Sequence, residues 1–180
     1  LGELARISSD GDKAVTMILP PGRGQVIFRT KDVELVSQLI EGNFPDYEQI
    51  IPRRFETRAV LSTAAFLKAC KQAEIFAREG THIARIQISP GGELQPGTVE
   101  ISGQSDETGF NQNVVDASIE GDTLLIAFNV RFMREVLEVI KTPNVALEVT
   151  TDTSPGVIRP VSGPGDDNFL HVIMPMHLGS

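Results

Sequence analysis

From Arg54 to Met176 the chain runs twice through one order of elements, and that order constrains the fold more than any bulk property. "RFETRAVLS" (54–62) alternates like a strand, and Ser62 with Thr63 can cap a helix running to about Glu79. Three strand candidates follow: "HIARIQIS", "LQPGTVEISGQ" and "GFNQNVVDASIEG". The order then starts again with "TLLIAFN" as a strand and "VRFMREVLEVIK" as a helix, followed by "NVALEVTT", "GVIRPVS" and "NFLHVIMPM" as strands. The two halves share β-α-β-β-β and not residue identity. Helices grouped against mostly antiparallel strands make this an α+β chain.

The two helices differ in what they show. At about 100° per residue, Phe66, Ala69, Cys70, Ala73 and Ala77 form one apolar stripe of the first. Lys68, Lys71 and Arg78 gather on the opposite side, where Ile75 also projects without a core to join. In the second helix Phe132, Val136, Val139 and Ile140 are expected inward. Arg131, Arg134 and Lys141 are expected outward, beside Glu135 and Glu138. Solvated faces explain such charges by themselves.

Ahead of this doubled order, "LGELARISSDGD" reads as a helix cut in mid-course, so the start is not expected to be a natural N-terminus. Strand-like segments follow around Val15, Met17 and Leu19, in "QVIFRT", and in "VELVSQLIEG" with Val33, Leu35 and Leu39 on one face. "PPGRG" (20–24) is a turn between the first two. The stretch "IEGNFPDYEQIIP" (40–52) then fits neither helix nor strand and reads as a linker.

Net charge is −8, which argues against nucleic acid only as a whole-chain sum, because a local cationic surface is still open. Cys70 is the one cysteine, so no internal disulfide forms and a reducing compartment fits. No apolar run approaches the roughly 18 residues of a membrane span, and no signal peptide opens the chain.

Catalytic chemistry finds little support. His82, His171 and His177 lack the spaced carboxylates or cysteines of a metal site. "PPGRG" and "SPGGELQPG" lack the lysine and helix start of a phosphate loop. Asp166 and Asp167 lie in a Gly/Pro-rich loop, and Ser154 has no base the sequence can point to. No cofactor or metal is implied.

Three motifs carry a resemblance. "LIEGNFPDYEQIIP" is similar to the hallmark between the second and third domains of the bacterial DNA sliding clamp, the beta subunit of DNA polymerase III holoenzyme. "FNVRFMREVLEVI" resembles the last helix of that third domain, and "HVIMPMHL" its closing strand and tail. The matches fall in order and span nearly the whole chain. The resemblance implies a clamp fold, with β-α-β-β-β twice per domain and helices on one side of antiparallel sheets. Six domains from two chains close a ring around duplex DNA. Residues 1–52 would be the latter half of the second domain and 53–180 the complete third, so the chain is expected to be a C-terminal portion unable to close a ring alone.

The resemblance also implies sites. Short linear peptides of DNA polymerase III, the clamp loader and other replication proteins would insert apolar side chains into a pocket between the second and third domains, beneath the tail. Its contributors here would be Pro45, Gln49, Ile50, Gly156, Val172, Met174, Pro175, Met176, His177 and Leu178. Methionine suits such a pocket because it repacks around different peptides. Lys68, Lys71, Arg78, Arg131, Arg134 and Lys141 would line the hole and meet phosphates without reading bases. Ile75 and Phe76 would belong to the subunit interface of a homodimer. The protein is expected to be a non-catalytic accessory subunit, in the bacterial cytoplasm at the replisome, with no membrane partner.

Two positions depart from the family pattern: Gln49 and His177 stand where it often has arginine, removing charge-assisted contacts. "HLGS" runs two residues past the usual stop. With part of the pocket wall absent, weak peptide binding is expected. Two other readings stay open on the sequence: an interaction domain of the same fold that binds no DNA, and an α+β enzyme with an unrecognised active site.

Overall fold

The computed structural model describes residues 2–8, 14–22, 24–43, 46–77, 82–105, 109–161 and 169–177. The chain divides into two compact units, residues 1–45 and 46–180.

The first unit holds helix α1 (Gly2–Ile7) and a three-stranded meander of β1 (Thr16–Ile18), β2 (Gln25–Arg29) and β3 (Glu34–Gln38). Gly22 and Gly24 take positive φ (73° and 55°) in the turn joining β1 to β2, where a side chain would be strained. Met17, Phe28 and Leu35 form one cross-strand rung and Ile18, Ile27 and Val36 the next, on the opposite face. Val26 alone among the described hydrophobic residues of this unit is buried.

The second unit realises the doubled order. Its first half is β4 (Thr57–Ser62), α2 (Thr63–Ala77), β5 (Ile83–Ser89), β6 (Gly97–Ser105) and β7 (Gly109–Glu120). The second half is β8 (Leu124–Asn129), α3 (Val130–Val139), β9 (Asn144–Val149), β10 (Gly156–Val161) and β11 (His171–Ile173). All eight strands join one antiparallel sheet in the order β11-β10-β9-β4-β7-β6-β5-β8. Its two ends meet, because Phe128 of β8 bridges Pro175 and the Met176 N–H donates to the Ala127 carbonyl at 2.8 Å. Exchanging each strand for its counterpart in the other half reproduces the same circular order, so the halves are topologically equivalent. Their seams are unequal. β4 pairs β7 over four residues, whereas β8 meets the segment after β11 at one bridge, whose proline has no N–H to give.

Helix starts follow the local chemistry. Ser62 Oγ accepts from the Ala65 N–H at 3.4 Å, and Asn129 Oδ1 accepts from the Arg131 N–H at 3.1 Å. The α2 stripe is buried as expected, with Phe66, Ala69, Cys70, Ala73 and Ala77 inside. Its alanines let the helix approach the sheet closely. A Cβ at Gly103 of β6 would overlap the carbonyl oxygen of Ala73, so glycine is required there. Burial pushes the Cys70 thiol up, and the negative charge of Glu74 adds to this, so the cysteine is an inert core residue.

The α3 expectation is corrected in part. Val136 and Ile140 are buried, but Phe132 (51% exposed) and Val139 (60%) point outward. Val130, Met133 and Leu137 take the inward positions. Two apolar stripes overlap on this helix, and the ion pairs from Arg134 and Glu138 to α2 settle its rotation, leaving Phe132 and Val139 on the flank away from α2. Residues of α2, α3 and the strands form one core, each large buried side chain contributing about 1.5–3 kcal/mol.

Candidate functional site

Of the candidate site residues, Pro45, Arg78 and Leu178 lie outside the described residues, as do Phe44, Glu79, Asp166, Asp167, Gly179 and Ser180. The remaining ones fall into three places.

The tail is built around Gly156, the first residue of β10. A Cβ there would lie 2.6 Å from the ring tip of Phe128 and 3.3 Å from Ile173 Cγ2, so the absent side chain makes room for Phe128. Gly156 pairs with Ile173 and Val157 with Val172. Ile173 is buried in the core, which turns the neighbouring Val172 and Met174 the other way along the strand. Met174 is 59% exposed. Pro175 and Met176 are half-buried against β8, and His177 is exposed. Methionines at 174 and 176 thus differ, one presented to solvent and one partly packed.

Gln49 and Ile50 lie on the 3-10 turn Tyr47–Gln49 and just after it. Gln49 Nε2 donates to Asp46 Oδ2 at 2.9 Å, and Ile50 is 46% exposed. From this turn the chain passes along the end of β9: Thr150 Oγ1 donates to the Arg54 carbonyl at 2.9 Å and the Glu56 N–H to that of Val149 at 3.0 Å. That is the end of the sheet at which Gly156 opens β10. A shallow groove elsewhere runs past Leu61, Ser62, Gly91, Gly97, Asp116 and Asn144, and none of the candidate site residues lines it.

The second place is the outer face of α2 and α3. Lys68 is exposed and unpaired among the described residues. The other described cations are engaged. Lys71 Nζ lies 3.0 Å from Glu138, Arg131 Nε lies 3.0 Å from Glu135, and the Lys141 ammonium donates to the Glu138 carbonyl at 2.9 Å. Arg134 touches Glu74 at 2.7 Å, Glu138 at 2.9 Å and Glu135 at 3.7 Å. Lys71, with Arg134 behind it, holds the Glu138 carboxyl below its usual range against an opposing effect of burial. Five described cations therefore share their surface with three carboxylates, and the face is only mildly positive.

The third place holds Ile75, 63% exposed on the polar side of α2, and Phe76, half-buried next to it in sequence. The sequence reading missed what shares the sheet beneath. β7 pairs with β6 along Gly109–Ala117, but with β4 only over Ala117–Glu120. One edge of β7 over residues 109–116 therefore has no strand beside it among the described residues, and Phe110 (58% exposed) and Val114 (59%) stand on its outer face. Their spacing of four within an alternating strand was the available signal.

Burial lowers the pKa of His171 on β11, whereas His82 precedes β5 with a left-handed φ of 56°. Among the described residues no group of three or more His, Cys, Asp or Glu is placed to hold a metal ion, and no helix is long and apolar enough to cross a membrane.

Known proteins share this arrangement. The family described as DNA polymerase III beta subunit, C-terminal domain, matches residues 48–177. The beta sliding clamp of Staphylococcus aureus (strain Mu50 / ATCC 700699) is 31% identical over 177 residues, which are 98% of this chain and 44% of that protein. The DNA polymerase sliding clamp of Bacillus subtilis superimposes with a TM-score of 0.81 at 29% identity, over 99% of this chain and 45% of its own. The DNA polymerase III subunit beta of Pseudomonas aeruginosa gives 0.81 at 28% identity, over 98% and 46%. The chain thus spans about half the length of the relatives it matches. A doubled β-α-β-β-β unit with paired helices, matched by a family description over most of its length, places the chain in the DNA polymerase III beta-subunit family of sliding clamps.

Proposed function

We propose that this chain supplies part of a processivity clamp that encircles duplex DNA as a homodimeric ring and tethers DNA polymerase III, the clamp loader and other partners through short linear peptides. In this reading residues 1–52 form the latter half of the clamp's second domain and 53–180 its third. The protein is a non-catalytic accessory subunit working in the bacterial cytoplasm. Lys68, Lys71, Arg78, Arg131, Arg134 and Lys141 face the DNA. Pro45, Gln49, Ile50, Gly156, Val172, Met174, Pro175, Met176, His177 and Leu178 receive partner peptides, and Ile75 with Phe76 belongs to the subunit interface.

The observation that carries this reading is the side-by-side packing of α2 and α3, with exposed cations of both helices on their outer side in a chain of net charge −8. A mildly basic lumen within an acidic body attracts phosphates without gripping a sequence, which suits sliding. Exposed Met174 beside a weakly paired seam supports peptide capture, because a flexible apolar anchor at a surface edge is open to a partner. A topological link and a peptide tether together raise the polymerase's effective concentration at the primer end.

The test uses the full-length protein loaded on circular DNA. Retention that is lost when the circle is cut is the expected result. Retention equal on circular and linear DNA would exclude a ring, and no retention on either would favour an interaction domain that binds no DNA.

A further inference from the structure

The carboxylates on the α2–α3 face need an explanation that attraction to phosphate does not supply. Glu135 and Glu138 lie one helical turn beyond Arg131 and Arg134, at the i,i+4 spacing that favours pairing, and Glu74 reaches Arg134 from the neighbouring helix. Three of the five described cations are thereby held within about 3 Å of a carboxylate oxygen. Resting on the reading that this face meets DNA, we propose that Glu135 and Glu138 are built-in counterions that hold down its affinity for the phosphate backbone, leaving Lys68 and Lys141 as the leading contacts. Glu74 with Arg134 is the least exposed of these pairs, at 20% and 24%, and joins the helices.

The physical basis is counterion release. Each Lys or Arg that neutralises a phosphate releases counterions condensed on the DNA, and that release drives affinity. A cation already paired with a tethered carboxylate neutralises little phosphate charge, so fewer of the DNA's counterions leave. That carboxylate also repels the incoming phosphate from well inside the screening length of about 8 Å. The face therefore behaves as if it held fewer positive charges than its sequence counts.

The experiment compares the full-length protein with its E135Q/E138Q variant, by fluorescence anisotropy on a labelled linear duplex from 50 to 200 mM salt. The proposal expects tighter binding and a salt slope steeper by about two, so that the gain shrinks about tenfold across that range. Impaired folding would weaken binding, the opposite sign. Should the double variant fail to fold, E135Q alone carries the test, with a slope change of about one. K68Q is measured alongside. Unchanged affinity and slope in E135Q/E138Q, with K68Q weakened, would overturn the counterion role and leave the DNA-facing reading standing. No change in either variant would remove both.

Discussion

The Arg134 guanidinium on α3 lies 2.7 Å from the Glu74 carboxylate on α2, with both side chains about four-fifths covered. This pair crosses the groove between the two helices, while the other contacts of Arg134 stay within its own. An ion pair in that setting lies between a solvated one, worth little, and a buried one, whose breakage is costly. R134A is therefore expected to cost about 1–2 kcal/mol of stability, chiefly by stranding Glu74, since Glu138 keeps Lys71. Urea denaturation measures this. On the proposed reading that this face meets DNA, a smaller loss of DNA affinity than K68Q causes should accompany it. Stability unchanged, with affinity sharply reduced, would instead make Arg134 a DNA contact.

Gly103 gives a sharper test of how the helix layer meets the sheet. Its missing side chain is the space occupied by the main chain of Ala73, which cannot rotate away. G103A must push α2 off β6, opening the alanine stripe that packs there. A loss of about 1–3 kcal/mol is expected, read as a lowered thermal midpoint. A near-neutral outcome would mean that α2 is not seated as closely as described.

Much of this architecture was legible, for local reasons. Strands β5 and β7 carry their alternation openly, and the first helix is announced by its capping residue, Ser62. Two features were hidden because they depend on distant partners. The rotation of α3 is ambiguous, since Phe132-Val136-Val139 and Met133-Val136-Leu137 are both plausible stripes, and the contact with Glu74 decides between them. The open edge of β7 shows only when the length of β4 is known: the shorter strand departs into α2 at Thr63 and leaves residues 109–116 paired on one side among the described residues. At the tail, the spacing of Met174 and Met176 gave no sign that their exposures differ. That follows from the single bridge between Phe128 and Pro175.

His171 links the tail to pH. It is half-buried opposite Ile158 on β10, and burial lowers its pKa from the ordinary value of 6.5. The unfolded chain takes up the proton first as pH falls, so the neutral ring's contribution is complete above pH 6.5. It is lost as pH drops through 6.5 toward the lower folded value. Urea midpoints at pH 7.5 and 5.5 should fall more for the natural protein than for H171Q. Equal falls would show that His171 titrates alike in the folded and unfolded chains.

The edge of β7, open among the described residues, bears on the proposed homodimer. An unpaired strand edge beside exposed apolar side chains is a template for another chain, and proteins usually shield or charge such edges. Here residues 109–116 carry no Lys or Arg, and Phe110 and Val114 are presented outward. In the proposed homodimer they would offer apolar surface to the second subunit. Replacing Val114 by lysine adds the charge that edges normally carry, and its exposed position leaves the core untouched. V114K is expected to keep its thermal midpoint within about 0.5 kcal/mol of the natural protein's stability. In the proposed homodimer it should also shift the equilibrium toward monomer by tenfold or more, an effect of about 1.4 kcal/mol. I75A/F76A should shift the same equilibrium, and Phe76, being half-buried, should also lower stability. Light scattering over a dilution series reads both. A V114K dimer as tight as the natural one would take the β7 edge out of the interface, whatever the α2 variant does.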